Sequence, residues 1–110
     1  MLQRCLLIDD MDVRYDDEQR IVIIENRSLH FSRNEFKLMH LLLTYQIVKE
    51  TMLLAVFAFP EKDKAVARYL AKYINRIRNK LASHEIKIRC VHGHGYMLIS
   101  EAKQDTNKLE

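Results

Sequence analysis

The sequence predicts an α+β domain with short N-terminal strands, three helices and a C-terminal β-hairpin. Three observations carry that prediction. Short apolar runs separated by polar turns fill the N-terminal third, and AVARYLAKYINRIRNKLA (65–82) repeats its apolar residues with helical spacing. The segment IKIRCVHGHGYMLI (86–99) alternates with period two around both of the chain's glycines. At 110 residues and 48% hydrophobic, the chain has enough apolar material for one core.

The elements follow in order. Cys5–Ile8, Asp12–Tyr15, Arg20–Ile24 and Leu29–Phe31 read as short strands joined by acidic or Asn-Arg-Ser turns. Ser32 and Glu35 have the spacing of a capping box, and Phe31 and Phe36 that of a hydrophobic staple. A first helix is therefore expected from about Arg33 to Tyr45. A second should run from near Glu50 to Phe59 and stop at Pro60. Its run Met52–Phe59 is apolar on every side, so either the fold covers it or its outer face meets a partner. Residues 1–100 make up the expected domain. The polar tail Glu101–Glu110 is expected to be disordered, and its Leu109-Glu110 has the look of a cloning scar on a piece of a longer protein.

The third helix can be checked by arithmetic. At about 100° per residue, Val66, Leu70, Tyr73, Ile74, Ile77 and Leu81 share a sector of roughly 100°. Arg68, Lys72, Asn75, Arg76 and Asn79 occupy a sector of similar width nearly opposite. The first set is a core stripe. The second consists of long donors and amides, the side chains that bond phosphates and base edges. A solvated face would read similarly, but solvated faces commonly mix signs and this one has no acid.

In the hairpin, Ile86, Ile88 and Cys90 alternate with Lys87, Arg89 and Val91, a strand with one buried face. His92-Gly93-His94-Gly95 reverses the chain, with glycines able to take positive φ. Charge is distributed to match. Residues 1–35 hold five Arg and eight acids, whereas residues 60–96 hold nine Lys or Arg and three acids, within a net charge of only +3.

Arg76-Ile77-Arg78-Asn79-Lys80-Leu81 and Ile88-Arg89-Cys90-Val91-His92-Gly93-His94-Gly95-Tyr96 together resemble the ending of winged helix-turn-helix domains of the OmpR/PhoB type. These are the DNA-binding effector domains of bacterial response regulators and ToxR-like activators. Ser32-Arg33-Asn34-Glu35-Phe36-Lys37-Leu38-Met39 is similar to that family's first helix, and the likeness covers about Asp12 to Ser100. It implies that the four short strands form a small N-terminal antiparallel β-sheet ahead of the helices, and that the chain is a sequence-specific, double-stranded DNA-binding transcription regulator. The third helix would enter the major groove, and the hairpin wing would reach the adjacent backbone or minor groove. Arg76 falls at the family's base-reading position, flanked by Arg68, Lys72, Asn75 and Asn79. Tyr73, Arg78 and Tyr96 match phosphate-contacting positions, and His92 stands where the family usually carries a minor-groove Arg. A half-buried ring with its hydroxyl in water is the alternative for Tyr73 and Tyr96.

The departures shape further expectations. Free imidazole is mostly neutral above its reference pKa of about 6.5, so His92 should bind weakly and gain on mild acidification. Lys49 replaces the usual Ser cap of the second helix, which should start less firmly. Some relatives contact RNA polymerase through the loop between the second and third helices. Here it shrinks to about Phe59–Lys64, which weakens that expectation. Family precedent implies homodimers on repeated half-sites. Protein–protein interaction through the apolar second helix, without DNA binding, is the alternative function.

Other chemistries fit poorly. Cys5-Leu6-Leu7-Ile8-Asp9-Asp10 resembles the first strand of a phosphoacceptor receiver, but a second strand follows where a receiver needs a helix. Cys90, His92 and His94, with His84 or His40, fall short of a well-placed tetrahedral zinc set. No nucleophile–base pair or phosphate-cradling loop is legible, so no enzyme, cofactor or metal is expected. Two cysteines give no disulfide framework, and a reducing cytoplasm is the default. No apolar run is long enough to span a membrane and no signal peptide is visible. Met1 fits an N-terminal DNA-binding domain, as in ToxR-like activators whose parent protein is membrane-anchored.

Overall fold

The computed structural model describes residues 1–57 and 64–101. Four antiparallel strands, β1 (Gln3–Arg4), β2 (Val13–Asp16), β3 (Ile21–Ile24) and β4 (Arg27–His30), lie side by side in chain order. Val13, Tyr15, Val22 and Ile24 turn inward, as the two-residue period requires. Asp16 accepts the N–H groups of Glu18 and Gln19, shaping the β2–β3 turn. Glu25 and Asn26, both at positive φ (49° and 69°), close β3 onto β4 in a two-residue turn. That turn starts β4 at Arg27, two residues before the expected Leu29.

The first strand departs further from expectation. Gln3 pairs with Tyr15 and Arg4 with Arg14, and the Cys5 N–H donates to the Val13 carbonyl at 2.8 Å. Because β2 begins at Val13, Cys5–Ile8 has no strand left to pair with. It is irregular instead: Cys5, Ile8 and Met11 drop into the core, and Leu6 and Leu7 face outward. Asp10 belongs to this irregular segment and accepts the Ser100 hydroxyl at 2.9 Å.

Helix α1 (Arg33–Thr44) opens with the predicted capping box. Glu35 N–H donates to Ser32 Oγ, and Ser32 N–H donates to the Glu35 carboxylate at 2.8 Å. Phe31 and Phe36 are both buried in the same core. Helix α2 (Glu50–Ala55) starts at Lys49 without a side-chain cap. It ends earlier than Phe59 because its last turn tightens, Val56 and Phe57 donating to carbonyls three residues back. The expected stop at Pro60 and the short loop lie in residues 58–63, outside the described residues, as does the tail from 102. The fold covers most of the apolar run: Leu53 and Leu54 are buried and Val56 and Phe57 half-buried, leaving Met52 and Ala55 outside.

Helix α3 (Lys64–Leu81) packs on α1 and α2 through Val66, Leu70, Ile74, Ile77 and Leu81, all buried. Strands β5 (Ile86–Val91) and β6 (Gly95–Ser100) form the hairpin, with Ile86, Ile88 and Leu98 inward. Cys90, expected on that buried face, is exposed. A third chain segment clasps the hairpin. Val48 and Tyr96 exchange backbone bonds of 2.8 and 2.9 Å, joining the α1–α2 turn to β6.

Candidate nucleic-acid interface

Opposite the buried stripe of α3, Arg68, Lys72, Asn75, Arg76 and Asn79 are all exposed. Among the described residues, none of Arg68, Lys72 or Arg76 is in an ion pair with a protein carboxylate. Exposed cations of one sign make a surface suited to phosphates. The helix is held rigidly from behind. Lys80 donates to the Glu35 carboxylate at 2.7 Å and to the His30 carbonyl at 2.9 Å, and sits over the Phe31 ring.

Arg78 is oriented differently from the stripe. Its guanidinium donates twice to the Ile88 carbonyl, at 3.1 and 3.3 Å, stapling α3 to β5. Tyr73, half-buried, is drawn into an aromatic group with Phe57 and Tyr69, ring centroids 4.9–5.2 Å apart. Its hydroxyl lies 3.4 Å from that of Tyr69, and Asn34 lines a cleft beside it. The Tyr69 hydroxyl, then the Asn34 side chain, hold the Tyr73 phenol below its ordinary pKa, whereas the bond to Tyr73 raises that of Tyr69. The Arg76 guanidinium lies over the Tyr73 ring, 5.3 Å from its centre. The structure thus brings Tyr73 and Arg76 together.

In the wing, His92, Gly93 and His94 form an exposed three-residue turn, closed by the His94 N–H on the Val91 carbonyl. Gly93 has φ +78° with open space around it. Gly95 has φ +133°, and a Cβ there would run into the Val48 carbonyl. Tyr96 is half-buried and lines a cleft between the wing and the start of α2, with Lys49, Thr51, Cys90 and His92. Burial, then the nearby Cys90 and Glu50, push its hydroxyl pKa up against the pull of Arg78. Among the described residues no cluster of three or more His, Cys, Asp or Glu side chains is placed to hold a metal ion. No helix among them is long and apolar enough to cross a membrane.

Residues 26–98, from β4 through most of β6, match the family described as "Transcriptional regulatory protein, C terminal". The chain belongs to this family. It is an OmpR/PhoB-type effector domain with the winged-helix fold, and the family is one of DNA-binding transcription regulator domains rather than enzymes. Comparison with curated protein sequences finds no match. In this effector domain the structure also brings forward three residues that sequence reasoning passed over. Tyr69 borders the polar sector of α3 and could have been found on the helical wheel. Asn34 and Phe57 carry no local signal, because only the packing of α1 and α2 on α3 brings them to Tyr73.

Proposed function

We propose that this effector domain binds a specific double-stranded DNA site, with α3 in the major groove and the β5–β6 wing on the flanking backbone or minor groove. The observation that carries this reading is the exposed, acid-free row Arg68, Lys72, Asn75, Arg76 and Asn79 directly behind a rigidly buried apolar stripe. Arg76, near the middle of the row, is assigned to a guanine edge, where a bidentate guanidinium is the commonest specific contact. Arg68, Lys72, Arg78 and Tyr96 are assigned to phosphates, which set register. His92 is assigned to the groove beside the wing. Two copies on repeated half-sites would double the contact without new chemistry. Docking of another protein on α2 is the weaker reading, since Leu53 and Leu54 are buried.

Selection of bound duplexes from a random pool, followed by titration against salt, tests the proposal. An enriched site, with log affinity falling linearly in log salt at about 0.9 per phosphate contacted, is the expected result. No enriched sequence, or binding insensitive to salt, overturns it.

A further inference from the structure

We propose that Tyr73 is a positioning residue for Arg76: its ring is the shelf on which the guanidinium is aimed at the base edge. This rests on the DNA-binding reading above and adds to it the origin of base discrimination.

A free arginine side chain has many rotamers, and fixing it on a base edge costs side-chain entropy. A guanidinium already lying on an aromatic face has lost part of that freedom before DNA arrives. Arg76 lies 5.3 Å from the Tyr73 ring centre. The shelf is itself held on several sides. Phe57, from the end of α2, packs against Tyr73 at 5.2 Å and against Tyr69 at 4.9 Å. Tyr69, one turn earlier on α3, meets Tyr73 edge-on at 5.1 Å and shares its hydroxyl bond. Asn34, near the start of α1, lines a shallow cleft with Tyr73. Side chains from the turn after α2 and from the preceding turn of α3 therefore pack around the ring on which Arg76 rests. The hydroxyl is engaged within the protein, which argues against its main role being that of a phosphate donor.

The two roles predict different mutants. If Tyr73 acts through its ring, Tyr73→Phe keeps discrimination and Tyr73→Leu loses it. If Tyr73 acts through its hydroxyl on phosphate, both variants weaken binding to every sequence alike, with the salt slope unchanged because the hydroxyl carries no charge. The test uses the full chain, the duplex enriched from the random pool, its single-base-pair variants and a random duplex. For Tyr73→Leu we expect about a two- to fivefold loss of discrimination at the base pair read by Arg76, the size of an exposed cation–π contact. Binding to the random duplex and its salt slope should be unchanged, which also reports a folded domain. In an Arg76→Ala background Tyr73→Leu should add nothing at that base pair. Equal losses for all duplexes, a Phe variant as poor as Leu, or additive effects with Arg76→Ala would overturn the assignment. Failure to enrich any sequence would instead remove the DNA-binding reading itself.

Discussion

Lys80 near the end of α3 and Glu35 in the first turn of α1 form an ion pair of 2.7 Å, across 45 residues of sequence. The Glu35 side chain is only 6% exposed, and its other bonds close the capping box of α1. One carboxylate therefore caps a helix and locks it to the helix carrying the exposed cationic row.

Burial pushes the Glu35 carboxyl up, but the Lys80 and Ser32 bonds outweigh it and hold the group below its ordinary range. A carboxyl lowered in the folded state stabilises the fold above its unfolded pKa. That stability is lost as pH falls from the ordinary glutamate value through the lower folded one. Glu35→Gln should cost about 1–3 kcal/mol at neutral pH and flatten the acid limb, as read by urea unfolding between pH 3 and pH 7.

The titration of His84 supplies a second, separate pH dependence. It is buried with Nδ1 unpartnered among the described residues, and burial, then nearby Arg27, lower its pKa. The neutral form is therefore the folded one. Below the unfolded reference of about 6.5 the unfolded chain takes up the proton first, so stability falls as pH drops from there toward the folded value. Replacing His84 with Leu should remove that part of the decline. Thermal melts of both proteins at pH 5, 6 and 7.5 check it; parallel curves would count against it.

The two wing glycines should not be equivalent. Gly93→Ala meets no atoms and bears only the positive-φ cost, about 1–2 kcal/mol. Gly95→Ala bears that cost and drives its Cβ into the Val48 carbonyl, at the clasp made by two backbone bonds. Its loss of stability should exceed that of Gly93→Ala by at least about 1 kcal/mol in denaturant unfolding.

Arg76 and Arg78, two residues apart, should fail in different assays. Arg76→Ala is expected to cost about 1–3 kcal/mol of specific binding with little change in stability. Arg78→Ala removes both bonds to the Ile88 carbonyl and should lower stability by about 1 kcal/mol as well as weakening binding to all sequences. Equal melting temperatures for the two variants would refute the distinction.

The wing offers the simplest gain of function. His92 stands exposed at the turn, and His92→Arg puts a permanent charge there. Affinity should rise at pH 8, with a salt slope steeper by up to about 0.9. An unchanged affinity and slope would show that position 92 does not reach the DNA.

Much of this domain is legible in its sequence, because the signals are local. The capping box of Ser32 and Glu35 spans one helical turn, and the two stripes of α3 follow from its repeat. The glycine-marked reversal at His92–Gly95 is likewise complete within a few residues. Local pattern misleads where neighbours distant in the chain decide. Cys5–Ile8 looks like a strand by composition, yet β2 begins too late to pair with it. The apolar run after Glu50 is accounted for only by α3 and the core, which cover Leu53 and Leu54. Cys90 alternates as a buried residue, yet in the folded hairpin it is exposed.

The helix with one apolar and one cationic face is thus written into residues 65–82, since side-chain order on a helix depends only on its repeat. What braces that face is decided by tertiary packing. Tyr73 meets Asn34 and Phe57, Arg78 turns to β5, and Val48 holds the wing, because these contacts join segments that only the folded core brings within bonding distance.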